Sequence, residues 1–222
     1  MVGGHSNVVM KSKFTHDSKY LVSCGADNLA CLWDVNNFKN SSNDGQSRLV
    51  CSYSGHLYPV WDLEIFSKLN LFVTASKDTT ARLWSFDHLY PLRIYCGHQS
   101  DVNCVKFHPN GSYLATGSSD KTVRLWSTQT GDFVRLFSGH RSRVYTIAFS
   151  PDGNYLASAG EDKKIKLWDL RSGLLFKEFK GHSDIVHAVS FDNNSEIICS
   201  GGLDKTVKFW DIHKKNIKIG IS

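Results

Sequence analysis

No stretch of this 222-residue chain approaches the roughly 18 consecutive apolar residues that a spanning helix needs, so a transmembrane helix is excluded. Charge of one sign is also scarce. The 26 Lys+Arg against 21 Asp+Glu leave a formal charge of +5, which permits an acidic partner surface or a phosphate backbone without requiring either. Aromatics at 12% and charged residues at 21% rule out a disordered chain. The six cysteines (Cys24, Cys31, Cys51, Cys96, Cys104, Cys199) form no C-x-x-C pair, and Met1-Val2-Gly3-Gly4-His5 carries neither the basic nor the apolar region of a secretory signal. Reduced, mostly buried thiols in cytosol or nucleus are therefore expected. Missing as well are a phosphate-cradling glycine loop, an H-E-x-x-H pair and any Cys/His cluster at metal-ligand spacing. No cofactor, metal or small-molecule substrate is expected.

What is present is a repeat. Gly-His pairs stand at Gly4-His5, Gly55-His56, Gly97-His98, Gly139-His140 and Gly181-His182. Each histidine is followed 28 positions later by a tryptophan: Trp33, Trp84, Trp126, Trp168 and Trp210. The last four units recur every 42 residues; the first step is 51, its surplus lying in the polar stretch Asn37–Arg48, which reads as a surface loop. Within one unit the pattern is that of short strands. Val102–Phe107, Tyr113–Ser118, Thr122–Ser127 and Phe133–Ser138 are β-rich runs separated by turn residues such as His108-Pro109-Asn110-Gly111. Four antiparallel strands in about 42 residues make one blade, which buries its faces only against neighbouring blades.

Two further columns are filled in every unit. Six residues before each tryptophan stands Asp27, Asp78, Asp120, Asp162 or Asp204; ten before it stands Ser23, Thr74, Thr116, Ser158 or Ser200. With these residues the chain resembles the WD40 repeat family over nearly its whole length. The resemblance implies an all-β propeller of five four-stranded blades, part of a seven-bladed ring. The histidine, hydroxyl, aspartate and tryptophan of each blade would form a buried hydrogen-bonded tetrad. One propeller is expected over 1–222, with blades near 4–54, 55–96, 97–138, 139–180 and 181–222. Five units against seven lead us to expect a ring incomplete at both ends, an open arc or a strained small ring with apolar blade faces uncovered. Asn216–Ile221 is expected to supply the last blade's fourth strand.

Recurring Ser, His and Asp invite a hydrolase reading. A nucleophile, however, must be reachable by substrate and sit beside an oxyanion site, whereas these groups recur five times at one spacing and would lie between strands. That is the pattern of a structural lock, and no catalytic residue is assigned. The other histidines, His16, His88, His108, His187 and His213, are scattered and read as surface or turn residues.

Subtracting the repeat leaves Trp61, the one tryptophan outside it. It shares a column with Met10, Asn103, Tyr145 and His187. In WD40 propellers this column resembles the ring around the channel mouth, together with the column of Val8, Pro59, Asp101, Arg143 and Ile185 and the residues before each tetrad aspartate (Ala26, Lys77, Ser119, Glu161, Leu203). Family members take up peptides there. The candidate partner-binding rim is thus Trp61, Lys77, Asp101, Asn103, Arg143, Tyr145, Glu161 and His187, a mixture of aromatic and charged groups suited to an interaction hot spot. Lysines thicken toward the end (Lys163, Lys164, Lys166, Lys205, Lys208, Lys214, Lys215, Lys218) and alternate with apolar residues, as solvent-facing strand positions do. No aromatic stacking residues are interleaved with them, which argues against direct nucleic-acid binding.

Blade-specific text narrows the resemblance. Tyr58-Pro59-Val60-Trp61-Asp62, Thr80-Ala81-Arg82-Leu83-Trp84, Tyr90-Pro91-Leu92-Arg93-Ile94 and the run from Asp101 to Asn110 look like blades of the fifth TATA-binding-protein-associated factor family, a subunit of general transcription factor IID. Trp84-Ser85, Trp126-Ser127 and Ser158-Ala159-Gly160-Glu161-Asp162 lean toward its five-like paralogue in SAGA/PCAF-type acetyltransferase coactivators. The resemblance implies a nuclear, non-enzymatic scaffold whose partners are histone-fold associated factors, with no membrane association. Two alternatives stand beside it: another WD40 hub, or a substrate receptor of a cullin-RING ubiquitin ligase. The latter is suggested by Leu156–Asp162, Ile165–Asp169 and Arg171, which resemble an adaptor-docking box.

Overall fold

The structure, a computed structural model, describes residues 4–35, 49–214 and 219–221. The polar insertion 37–48 and the lysines at 215 and 218 lie outside the described residues. Among the described residues, twenty strands form five four-stranded antiparallel sheets. The first holds β1 (Val9–Phe14), β2 (Tyr20–Gly25), β3 (Ala30–Asp34) and β4 (Leu49–Tyr53), and the second β5 (Val60–Phe66), β6 (Leu71–Ser76), β7 (Ala81–Ser85) and β8 (His88–Tyr95). The third holds β9 (Val102–Phe107), β10 (Tyr113–Ser118), β11 (Thr122–Ser127) and β12 (Phe133–Ser138). In the fourth are β13 (Val144–Phe149), β14 (Tyr155–Gly160), β15 (Lys164–Asp169) and β16 (Leu175–Lys180). The fifth has β17 (Val186–Phe191), β18 (Ile197–Gly202), β19 (Val207–Asp211) and β20 (Ile219–Ile221). The strand runs read from the third unit coincide with β9 to β12; of the expected last strand, Asn216–Ile221, residues 219–221 form β20, paired Val207 to Ile221, and 216–218 lie outside the described residues. Among the described residues there is no α-helix, only a 3₁₀ turn at Ser67–Leu69, and no helix long and apolar enough to cross a membrane.

Two compact units divide the chain, Met1–Val102 and Asn103–Ser222. In the first, Val22, Cys24, Ala30, Leu32 and Tyr53 of blade one share a core with Val60, Leu63, Phe72 and Trp84 of blade two. The Tyr53 ring meets Phe72 edge-on at 4.8 Å between centroids. In the second unit the same columns repeat. Cys104, Ala115, Val123, Leu125 and Phe137 of blade three join Val144, Ile147, Leu156 and Trp168 of blade four. Ala157, Ala159, Ile165, Leu167 and Phe179 then join Val186, Ile198 and Trp210 of blade five. A middle strand such as β14 therefore carries apolar groups on both faces, Leu156 toward one neighbour and Ala157 and Ala159 toward the other. That is why it reads as a nearly continuous apolar run. In the terminal blades Val9, Phe14, Leu203 and Val207 are exposed.

Outer strands add polar latches. Arg135 Nη1 on β12 donates to Leu170 O (2.8 Å), and Lys177 Nζ on β16 donates to the carbonyls of Asp211 and Ile212 (2.9 Å each). These cations donate to carbonyls at the end of the next blade's third strand, where the ladder runs out. Three of the cysteines are buried (Cys24, Cys31, Cys104), all six are free thiols, and Cys96 is exposed. The expectation of mostly buried thiols therefore holds for half of them.

The residue after each tetrad aspartate is left-handed: Asn28, Thr79, Lys121, Lys163 and Lys205 have φ of 61 to 72°. This conformation costs an L-residue about 1–2 kcal/mol, and a β-branched one is its worst occupant. Thr79→Asn is expected to raise the melting temperature, by up to about 1 kcal/mol of added stability. An unchanged or lower value in differential scanning calorimetry would show that Thr79 is not strained.

Candidate functional site

The tetrads are built by three segments of each blade. In blade two the Trp84 indole N–H donates to Thr74 Oγ1 (2.9 Å), and Thr74 lies 2.7 Å from His56 Nε2. His56 Nδ1 lies 2.7 Å from Asp78 Oδ2. The partners assign the protons. Thr74 O–H donates to Nε2, Nδ1–H donates to the carboxylate, and the imidazole is neutral. In blade four Trp168, Ser158, His140 and Asp162 are linked at 2.8, 2.7 and 2.8 Å. Blade five links Trp210, Ser200, His182 and Asp204 at the same three distances. In blade one Trp33, Ser23, His5 and Asp27 are linked at 2.7, 2.7 and 2.9 Å. Blade three has Trp126 donating to Thr116 Oγ1 at 2.9 Å, and its Asp120 Oδ1 accepts from Thr122 N at 2.9 Å.

The aspartate has a second task in closing the turn after it. Asp78 Oδ1 accepts from Thr80 N and Thr80 Oγ1 (3.0 and 2.6 Å). Burial alone would raise the Asp78 carboxyl, but the hydrogen bonds from His56 and Thr80 outweigh it and hold the group well below the usual carboxylate range. Burial pushes His56 below its ordinary value, against the pull of Asp78. The five hydroxyls are buried and accept an indole N–H, and those of Ser23, Thr74, Ser158 and Ser200 also donate to imidazole. A hydroxyl so occupied is no accessible nucleophile.

The glycine of each Gly-His pair has its own reason. At Gly139, φ is +145°, and a Cβ would sit 3.4 Å from the Trp168 ring. A position the sequence did not single out lies four residues after each aspartate: Cys31, Arg82, Arg124, Lys166 and Lys208. Arg82 and Lys208 place cations 3.8 Å from Asp78 and Asp204. Lys166 corrects the reading of the lysine runs as solvent-facing. It is 4% exposed, with Nζ 2.5 Å from Glu178 Oε2, and Lys164 reaches the other oxygen at 2.9 Å.

Burial would raise Glu178, yet hydrogen bonds from Lys166 and Lys164 bring it down to about 2 from an ordinary 4.5. Because the folded-state value lies below the unfolded one, ionised Glu178 stabilises the fold above about pH 4.5, and that contribution is lost as the pH falls through about 2. Glu178→Gln is expected to lower stability at pH 7 by about 1–3 kcal/mol, since it strips a buried ammonium of its counter-charge. Melting curves from pH 7 to 2 check this; a gap between the two proteins that does not close in acid would refute it.

The rim columns are set apart by backbone geometry. Across the first hairpin of four blades the register skips one residue. Val9 pairs Gly25 and Lys11 pairs Cys24; Val60 pairs Ser76 and Asp62 pairs Ala75; Val144 pairs Gly160 and Thr146 pairs Ala159; Val186 pairs Gly202 and Ala188 pairs Gly201. The unpaired residues are Met10, Trp61, Tyr145 and His187. A β-bulge thus re-aims each of them, as bulges do next to functional surfaces. The other two columns are tied beside the bulge by Ala26 N to Val8 O, Lys77 N to Pro59 O, Glu161 N to Arg143 O and Leu203 N to Ile185 O, at 2.8 to 2.9 Å.

In the second unit five of the rim residues come together. Tyr145 stacks on His187 (5.3 Å, 26°), Arg143 Nε lies 4.0 Å from Glu161, and Ser142 Oγ also donates to that carboxylate. Asn103 Nδ2 bridges Ser119 Oγ (3.0 Å) and Val144 O (2.8 Å). Its amide thus ties one blade to the next. The hydrogen bond from Ser142 holds the Glu161 carboxyl below its ordinary value. Trp61, Lys77 and Asp101 belong to the first unit; Trp61 and Asp101 are half-buried and Lys77 is exposed.

A sequence profile described as "WD domain, G-beta repeat" matches residues 1–34, 47–85, 89–127, 131–169 and 173–211. The chain belongs to the WD40 repeat family. As a WD40 chain it is a protein-interaction scaffold. Over 111 residues, half of this WD40 chain, it is 35% identical to transcription initiation factor TFIID subunit 5 of Caenorhabditis elegans. Over 115 residues, again half, it is 36% identical to the guanine nucleotide-binding protein subunit beta of Solanum tuberosum, and 34% identical to that of Arabidopsis thaliana. The matched stretch is 16% of the first relative's length and 29% of each of the other two.

Proposed function

We propose that this WD40 chain is a non-enzymatic interaction module of a nuclear transcription initiation or coactivator complex, with histone-fold associated factors among its partners. The observation that carries the reading is the 35% identity to TFIID subunit 5 over half the chain. The blade-specific text from Tyr58 to Asn110 supports it. The bulged aromatics Trp61 and Tyr145, with Arg143 and Glu161 beside Tyr145, supply anchors and charges of the kind that dominate interfaces. Equal identity to the guanine nucleotide-binding protein beta subunits carries a second reading, a subunit of a signalling complex.

Affinity purification of the endogenous protein from nuclear extract tests both. Histone-fold factors together with the TATA-binding protein or an acetyltransferase are the expected result. Recovery of guanine nucleotide-binding subunits in their place would favour the second reading. Ubiquitin-ligase adaptors lost on Arg171→Ala would overturn both. For the rim, Trp61→Ala and Tyr145→Ala are each expected to cost about 2 kcal/mol of partner affinity, roughly 30-fold in Kd. Intact binding by normally melting variants would remove the rim from the proposal.

A further inference from the structure

At the end of strand β5 remote from Trp61, the first unit carries a cavity of about 590 Å³. One wall is the β1–β2 turn, from Thr15 through Lys19, with Tyr20; the other is Phe66 with Lys68 and Asn70 of the β5–β6 connection. Both walls are fixed in advance. Thr15 Oγ1 donates to Asp17 Oδ1 (2.7 Å), Thr15 N to Tyr20 O (2.9 Å), and Ser18 is left-handed at φ 57°. The Asn70 carbonyl accepts from Phe86 N (3.1 Å), and the Phe86 ring meets Tyr20 edge-on at 6.0 Å. The volume is that of a small-ligand or peptide side-chain site.

Its chemistry is an aromatic interior under a cationic lip. Tyr20 and Phe66 are partly buried, while Lys19 and Lys68 are exposed. The carboxylate of Asp17 is already engaged by Thr15 Oγ1 and Lys19 N, and Lys19 Nζ lies 3.5 Å from its other oxygen in an exposed, weak pair that a partner's carboxylates would share. Three of the turn's amides are spent internally: Ser18 N on Thr15 O, Lys19 N on Asp17, Tyr20 N on Thr15 Oγ1. A phosphate or nucleotide site is typically cradled by several successive free backbone N–H groups, and the run Ser18 to Tyr20 is already committed. Lysine side chains over aromatic walls suit carboxylates flanking an apolar group.

We propose that this cavity binds a short acidic segment of a partner protein. An aromatic side chain enters between Tyr20 and Phe66, and neighbouring carboxylates meet Lys19 and Lys68. The surface is separate from the rim, and its test does not depend on which complex the chain joins.

The probe is a fluorescein-labelled peptide, Glu-Glu-Phe-Glu-Glu, titrated against the full 222-residue chain by fluorescence polarisation. Saturable binding below about 1 mM is expected. It should weaken at least about tenfold in the double variant Lys19→Glu/Lys68→Glu, and by a similar factor when the peptide's phenylalanine is alanine. Because both lysines are exposed, the double variant is expected to melt as the parent does. No saturable binding, or binding indifferent to the charge reversal or to the loss of the ring, overturns the proposal. Displacement of the peptide by ATP at the peptide's own potency would assign the site to nucleotides and overturn it as well.

Discussion

Trp168→Ala is expected to be among the most damaging single changes in this protein, at about 3–5 kcal/mol. The indole is 3% exposed and packs at 5.4 Å on Phe137 of the preceding blade, so its loss opens a cavity at the junction of blades three and four. It also removes the N–H that Ser158 accepts, loosening the chain through His140 to Asp162. Ser158→Ala separates the two contributions. It leaves the core volume nearly intact but orphans both the indole and the imidazole, at about 1–3 kcal/mol. Urea titrations of both variants would decide. If Ser158→Ala proved as costly as Trp168→Ala, the tetrad would outweigh the packing; if it were neutral, the hydrogen-bonded chain would contribute nothing net.

A smaller loss, coupled to a loss of binding, is expected from a single methyl group at Gly160. A Cβ there would lie 2.0 Å from the carbonyl oxygen of Arg143, a backbone atom that cannot swing aside. That carbonyl accepts the Glu161 amide and closes the bulge presenting Tyr145. Gly160→Ala must therefore push the two strands apart, at about 1–3 kcal/mol for overpacking, and displace the Arg143–Glu161 pair. Melting combined with partner binding checks this. Normal melting and normal binding together would mean that the bulge has slack. The close approach recurs in blades one and five, where a Cβ at Gly25 or Gly202 would lie 2.8 Å from the carbonyl oxygen of Val8 or Ile185, whereas blade two holds Ser76 in this column, its Oγ donating to the carbonyls of Tyr58 and Pro59 at 3.0 Å.

Five equal spacings made the tetrads and strands legible before any coordinates were considered. Histidine, hydroxyl, aspartate and tryptophan are held in register by a repeating blade, and four columns filled five times leave little room for another reading. What stayed hidden depends on geometry that spacing does not carry. The bulge at Trp61, Tyr145 and His187 is a two-against-one pairing, visible only once Val60, Val144 and Val186 find their partners. Lys166 read as a surface charge because its partner Glu178 lies on the next strand. Asn103 read as a rim contact, yet its amide reaches Val144, 41 residues on. The cavity joins turns some 50 residues apart, Thr15–Tyr20 and Phe66–Asn70. The left-handed lysines escaped notice because their conformation is imposed by the aspartate before them.

The hydrogen-bonded chain in blades one, two, four and five runs in one direction, from indole N–H to hydroxyl to imidazole to carboxylate, and begins on a proton that spectroscopy can see. The indole protons of Trp84, Trp168 and Trp210 are locked on hydroxyls inside the blades, so they exchange with deuterium only when their own blade opens. Each tetrad tryptophan is therefore a built-in clock for its blade. Timing them separately would give the opening free energy of every blade in one nuclear magnetic resonance experiment, with no label introduced.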